Sequence, residues 1–526
     1  MIQVERKILI RLTILIFIIF FYACSPTSNK EIKNFLIPLV QGNSSLPQNS
    51  FTSNPEEQPI DLDQNPNILE ENPIVIGENE NAAIFEERPF VFGENPLHLE
   101  WSTLLEIPSD DTIKIPNVAI DGNGFIYVAS DSNANLIGNE LKIGTRDVIL
   151  KKYDSRQNEL WMKRIGSRNT SLIITGLAAD RNGNAYVTGY TNGPLEKALI
   201  SDQDMFLVKF NPDGTIAWKK QAALKRARGV YNTYKVFTEG ITVDIFGNSY
   251  VVGTSNGPFG DNANGNLGGG YIIKFDTNGN QIWVKQISIV GASIYPKKVA
   301  VDESSGQIYV AGTSNNANFR TNKKFNYSNG VGGDDLFILR FNENGNQEFF
   351  TQTNLYRDSI TLNSLTVDSL GNVLAGGSSF IDLEFGTHER TSLRGILIKY
   401  DLNGDQRWIR QFGPRENVRL IERSTTVTGV ATDENGNIFT TGSTNGNVIN
   451  EHSEPLGNQD IFLTKYNYLG QIEWIRQIGR QGETLYSGGI GIDFNGDLYT
   501  TGLTDDNGKD YQVIGGNLDL FLMRFR

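Results

Sequence analysis

Few side chains in this sequence have the types and spacing that chemistry needs. The three histidines are His98, His388 and His452, scattered far apart. No G-x-S-x-G elbow, HExxH helix or GKS/T phosphate loop occurs, so nucleophilic, zinc-hydrolytic and phosphate-cradling sites have no local signature. The acidic turns that start at Asp180, Asp433 and Asp493 resemble calcium loops, but Gly is fourth and the twelfth positions are Thr191, Thr444 and Thr504. An EF-type loop needs Gly sixth and Glu twelfth, so these carboxylates are expected to accept backbone N–H bonds in tight turns. No metal, no cofactor and no catalysis are expected.

Cations offer more. Lys225, Arg226 and Arg228 cluster after Trp218, and Arg415, Arg419 and Arg423 cluster after Trp408. Such groups on an acidic chain fit a sulfated or carboxylated polysaccharide, or else solvated loop charge. A second basic column recurs at Lys152, Lys209, Lys274, Arg340, Lys399, Lys465 and Arg524. It reads as a ring for an anionic partner or as a repeated ion pair with a snorkelling stem. The net charge of −13 argues against nucleic acid, whose phosphates demand a basic face.

These residues need a scaffold, and the sequence repeats one. Between Gly429 and Gly479 lie four short β-type runs, two of whose joints carry Gly-centred turn signals. Runs of 4–8 β-formers punctuated by Gly, Asn and Asp read as hairpin-linked strands, here named a to d. Strand a recurs in seven copies, ending at Asp121, Asp180, Asp244, Asp302, Asp368, Asp433 and Asp493. Strand d places Trp161, Trp218, Trp283, Phe349, Trp408 and Trp474 at one position, and the seventh copy stops at Arg526 before any strand d. Its replacement is Leu99-Glu100-Trp101-Ser102-Thr103, ahead of the first strand a. Seven four-stranded antiparallel blades, closed by the N-terminal strand against the last, describe an all-β, seven-bladed propeller over residues 99–526. A Trp in one column is a packing element, and Trp101→Ala is expected to cost about 3–5 kcal/mol.

The repeated pattern, GVATDENGNIFTTG…DIFLTKYNYLGQIEWIRQIG in its clearest copy, resembles the bacterial SBBP β-propeller repeat family. That resemblance implies a propeller over residues 99–526. Similar members are often secreted or lipid-anchored envelope proteins of spirochaetes and other bacteria, and the family has no general catalytic signature.

Ahead of the propeller, Arg6, Lys7 and Arg11 precede an apolar run that ends at Ala23-Cys24. This reads as a secretory signal over residues 1–24, with Cys24, the single cysteine, as the acylation site of a lipoprotein. Residues 25–98 are rich in Asn, Pro, Glu and Ser and read as an acidic tether. Its NPIVIGEN and RPFVFGEN echo suggests extended pieces that dock on the propeller. The expectation is a monomeric, envelope-anchored binding protein that meets a protein or polysaccharide partner through its b–c and d–a loops. Two alternatives are a propeller enzyme (a polysaccharide lyase or hydrolase, or a quinone-dependent dehydrogenase) and a periplasmic scaffold for outer-membrane protein assembly.

Overall fold

The computed structural model describes residues 86–91, 99–105, 117–199, 201–222, 235–257, 269–289, 291–315, 317–318, 323–324, 334–353, 360–383, 390–414, 423–448, 455–504 and 519–526. All lie in the compact unit Pro66–Arg526. Among them no helix is long and apolar enough to cross a membrane.

Among the described residues seven antiparallel blade sheets recur; the first six take strands a to d in succession along the chain, and the seventh takes a to c from Leu485–Ile492, Leu498–Thr504 and Asp519–Phe525 and its strand d from the N-terminal side. The first runs through Asn117–Ile120, Ile126–Ser132, Asp147–Tyr153 and Glu159–Ile165. Its strands b and c are buried at every residue, whereas strand d starts exposed. The cause is position: b and c are sandwiched between neighbouring blades on both faces, so they carry continuous apolar runs. Strand d forms the outer edge.

The ring closes as the repeat demands. Leu99–Leu104 pairs antiparallel with Asp519–Phe525, and Trp101 stands opposite Arg524, just as Trp161 stands opposite Lys152. The side chain of Trp101 lies outside the described residues. Strand a of the first blade packs against strand a of both the second and the seventh, Leu172–Ala179 and Leu485–Ile492. One apolar cluster joins Leu105, Ile126, Val128 and Ile149 to Tyr499, Leu520 and Leu522 across the closing seam.

The basic column and the Trp column explain how blades register on one another. Pro212 carbonyl, in the c–d turn of the second blade, accepts from Lys152 Nζ at 3.2 Å and Trp161 Nε1 at 3.0 Å of the first. Thr277 carbonyl likewise accepts from Lys209 and Trp218 at 3.1 and 3.0 Å, and Glu343 carbonyl from Lys274 and Trp283 at 3.4 and 3.0 Å. Arg340 donates to Leu402 carbonyl, Lys399 to Tyr468 carbonyl, and Arg524 to Ser155 carbonyl. The last bond carries the seventh blade onto the first. Only the sixth blade breaks the series, because its successor takes strand d from the N-terminus and has no c–d turn. Lys465 there pairs with Glu473 of its own blade at 2.7 Å.

Glycine enters for a specific reason. Gly470, at φ +78°, lies so close to Trp408 that an added Cβ would stand 2.6 Å from the indole. The first blade has Gln157 at this turn position, with φ 74°. A non-glycine residue there costs on the order of 1–3 kcal/mol. Its side-chain amide donates to Ser102 carbonyl of the closing strand at 3.0 Å, which offsets that strain.

One position of the Trp column needs correcting. In the fourth blade the strand-d bulge falls between Ile338 and Leu339 of the partner strand, later than in the first blade, where it lies between Lys152 and Tyr153. The ring that meets the strand-b tyrosine is therefore Phe350, 5.0 Å from Tyr309, and not Phe349. Phe350 corresponds to Trp161, whose ring lies 6.0 Å from Tyr127.

Candidate functional site

The turns and loop roots use most carboxylates for structure. Asp180 Oδ1 accepts the amides of Asn182 and Asn184, and Oδ2 accepts Asn184 Nδ2 and the Tyr186 hydroxyl. Burial first, then the Asp180 carboxylate, holds the Tyr186 phenol well above its ordinary range. Calcium-like loops are thus hydrogen-bonded corners.

At the root of the b–c insert in the first, second and sixth blades a second carboxylate works the same way. Asp147 accepts the amides of Ile143 and Gly144 at 2.8 Å and pairs with Arg164 at 2.7 Å. Asp204 and Asp460 occupy the same place with Gln221 and Gln477 as partners, at 2.8 and 2.6 Å. The fifth blade inverts the scheme: Arg394 stands there, donating to the carbonyls of Gly413 and Gln411. These pairs position loops.

A different set lies on strand a. Strand a is the innermost strand, and in blades two to seven its ladder to strand b carries an irregularity. The residues skipped there are Thr175, Glu239, Lys297, Asn363 and Thr428, with Gly488 and Gly489 in the last. Bulges re-aim side chains and gather next to functional sites. Glu239 meets Lys297 of the next blade at 2.8 Å, Asn363 donates to Val427 carbonyl at 2.8 Å, and Thr428 reaches Ser487 at 3.0 Å. Thr175 Oγ1 is buried with no partner.

Two residues earlier on the same strands, hence on the same side, stand Ile173, Phe237, Tyr295, Thr361, Thr426 and Tyr486. Phe237, Tyr295 and Tyr486 are large and exposed, at 38%, 39% and 37%. Strand a starts at the d–a connection, so this ring opens on the b–c and d–a face. Immediately after the bulge come Gly176, Gly240 and Gly429 in three blades but Lys298 in the fourth. Burial holds the Lys298 ammonium below the usual lysine range, with Glu239 opposing that shift and Lys297 adding to it. Strand a therefore carries, at these positions, three exposed aromatics, a column of polar bulge residues and one inter-blade ion pair.

Of the basic residues singled out in the sequence, Lys225, Arg226, Arg228, Arg415 and Arg419 lie outside the described residues. Arg423 is half-buried just before strand a of the sixth blade, Thr425–Thr432. His98, His388, His452 and Cys24 also lie outside. Among the described residues no cluster of three or more His, Cys, Asp or Glu could hold a metal ion. Sequence reasoning missed this strand-a set. Its signal was a polar column that changes identity from blade to blade inside an otherwise uniform strand a.

The family comparison agrees with this architecture. The family described as SBBP, beta-propeller repeat, matches residues 100–138, 160–196, 218–260, 282–320, 407–450 and 473–509. An uncharacterized WD repeat-containing protein of Acanthamoeba polyphaga mimivirus is 25% identical over 196 residues, covering 32% of this chain and 14% of that protein. The chain thus matches well under two thirds of that relative's length. Among solved structures, the polysaccharide lyase Uly1 is 11% identical with a TM-score of 0.44, covering 80% of this chain and 90% of that one. The gluconolactonase XC5397 from Xanthomonas campestris is 12% identical with a TM-score of 0.31, covering 83% and 99%. The Hadza microbial sialidase Hz136 is 10% identical with a TM-score of 0.34, covering 70% and 66%. At these identities no residue role passes to this chain. The family match identifies six copies of the repeating unit: SBBP β-propeller repeats are present in this chain.

Proposed function

We propose that this protein is a lipid-anchored, envelope-exposed binding propeller that takes an acidic polysaccharide at the channel mouth on its b–c and d–a face. The observation that carries the reading is the pairing of two rings on strand a. Exposed Phe237, Tyr295 and Tyr486 offer flat apolar faces to sugar rings, while Glu239, Lys297, Asn363 and Thr428 offer hydrogen bonds just below. Ligand sites are mostly apolar and aromatic, with a few placed polar groups. Lys225, Arg226, Arg228, Arg415 and Arg419 belong to d–a connections, which start and end on this same face, and they select for carboxylated or sulfated chains.

Binding to a panel of uronate-containing, sulfated and neutral polysaccharides tests this. Acidic members should bind, more weakly as salt rises. Each of Phe237→Ala, Tyr295→Ala and Tyr486→Ala should cost about 1 kcal/mol of affinity, or roughly fivefold; thermal stability should change little in the two tyrosine variants, while Phe237→Ala also loses an edge-on contact with Tyr190 at 5.8 Å. Binding indifferent to all three and to salt would remove the channel mouth from the account.

Anchoring belongs to the same proposal and rests on the apolar run before Cys24. Cys24→Ser should move the protein from the detergent phase to the aqueous phase and abolish lipid labelling, since the acyl chains supply the membrane affinity. A wild-type protein without lipid label, partitioning like the variant, would exclude it.

Lys298 favours a second reading, catalysis at the same mouth: it directly follows the Lys297 bulge beside the Glu239–Lys297 pair, and burial moves its ammonium below the usual lysine range, the direction a general base needs. New chain ends released from a bound polysaccharide, and lost in Lys298→Met while binding persists, would establish it.

A further inference from the structure

The structure assigns a strand-addition site to the outer edge of the sixth blade, and we infer that tandem copies of one tether segment exchange on it. Glu86–Val91 lies antiparallel along Ile472–Gly479, from Glu86 opposite Gly479 to Val91 opposite Trp474. Among the described residues it is the only fifth strand on any blade. The place is not arbitrary. The sixth blade is the one whose strand d faces no c–d turn of a following blade. Ile472–Gly479 is half-buried at its first two residues and buried at the remaining six, whereas Glu159–Ile165 is exposed at its first two and buried only at its last two. An edge strand left open there would be a template for unwanted pairing, and Glu86–Val91 fills it.

The segment that fills it is not unique in the chain. Residues 86–95 read EERPFVFGEN, residues 70–79 read EENPIVIGEN, and residues 56–65 read EEQPIDLDQN. Strand addition draws affinity from main-chain bonds and specificity from alternate side chains. In the observed register Phe90 stands opposite Ile475 and Val91 opposite Trp474. The middle copy supplies Ile74 and Val75 at those positions, both apolar and β-branched, and repeats the Pro that leaves one donor out of the ladder. The first copy supplies Asp61 where Val91 stands, a charge in place of an apolar residue opposite Trp474, so it is the poorest occupant.

Glu70–Val75 therefore takes the same edge in the same register, in exchange with Glu86–Val91. The closing strand stays in place in both states. Only the connector to Leu99 changes, from residues 92–98 to residues 76–98. Loop closure scales with the 3/2 power of length, which favours the nearer copy roughly sixfold. The exchange moves the point where the tether leaves the propeller by one whole segment, altering its free length toward residue 24.

Disulfide trapping in the full chain carrying Cys24→Ser tests this, since no other cysteine exists. Opposed residues on paired strands fall within disulfide reach. Phe90→Cys with Ile475→Cys should close within one chain. Ile74→Cys with Ile475→Cys should close several-fold less, and should rise to the level of the first pair once Phe90→Asp and Val91→Asp weaken the resident strand. A melting curve on each reduced variant checks that Ile475→Cys leaves the blade folded. Hydrogen exchange on the otherwise unaltered chain with Phe90→Asp and Val91→Asp gives an independent readout: protection should pass from residues 86–91 to residues 70–75. A thiol that stays free in the Ile74→Cys variant and no transferred protection, with the first pair closing, would overturn the exchange. Failure of the first pair in a folded variant would overturn the site itself. Disulfide-linked dimers in place of internal bridges would make the occupant a second molecule, and so overturn exchange within the chain.

Discussion

Removing residues 99–105 is expected to unfold or aggregate the propeller, whereas removing residues 25–85 is expected to leave its melting temperature unchanged. The larger effect follows from what the short strand covers. Leu99 is 6% exposed and Leu105 is 1% exposed; Leu105 also donates its amide to Leu520 carbonyl at 2.8 Å. Losing one such leucine costs about 2–5 kcal/mol, and the deletion takes both together with the ladder to Asp519–Phe525. That sum approaches the whole stability of a typical domain, ~5–15 kcal/mol. The deletion also opens strand c of the seventh blade, where Leu520, Phe521, Leu522 and Met523 are buried, as a bare apolar edge. Denaturant melts and light scattering on the two deletions measure this. A shortened chain that stays monomeric with unchanged stability would mean that another segment closes the ring.

The second large effect is expected at Asp147. Its carboxylate and the Arg164 guanidinium are both fully buried, and two loop amides converge on the same oxygens. Removing one member of a buried pair leaves a charge without a partner, which costs about 3–5 kcal/mol. Asp147→Ala and Arg164→Ala should both fall in that range. Arg164→Gln should not, because Gln221 and Gln477 serve the equivalent Asp204 and Asp460 in the second and sixth blades. That substitution recreates an arrangement already used twice in this fold. Chemical denaturation of the three variants decides the matter; equal losses in Arg164→Ala and Arg164→Gln would show that the charge, and not the hydrogen-bonded closure of the loop, matters at this site.

The sequence alone determined the blade count, the strand order and the closing role of Leu99–Leu104. Each of those rests on local signals, namely alternation of β-formers and Asp…Gly turns, repeated often enough that their register is unambiguous. The role of the turn carboxylates was legible for the same reason, since an Asp bonds amides only two and four residues away.

Tertiary structure decided the rest. The basic column could be a ring for a ligand or a blade element; Arg340, Lys399, Lys465 and Arg524 pair with Glu348, Asp368, Glu473 and Asp497, and six of the seven also donate to a backbone carbonyl of the next blade, at Pro212, Thr277, Glu343, Leu402, Tyr468 and Ser155. A carbonyl belongs to every residue type, so such a partner leaves no trace in sequence. Phe349 and Phe350 are chemically identical neighbours, and only the placement of a bulge chose between them. Gln157 looks like an ordinary turn residue until its amide is seen to hold Ser102. The strand-a set likewise arises only when residues about 60 positions apart come round one axis, as Glu239 meets Lys297 across 58 residues. Local periodicity fixes which strands form. Which side chains meet between blades depends on how seven sheets pack around an axis, and that is set by inter-blade contacts with no short-range pattern.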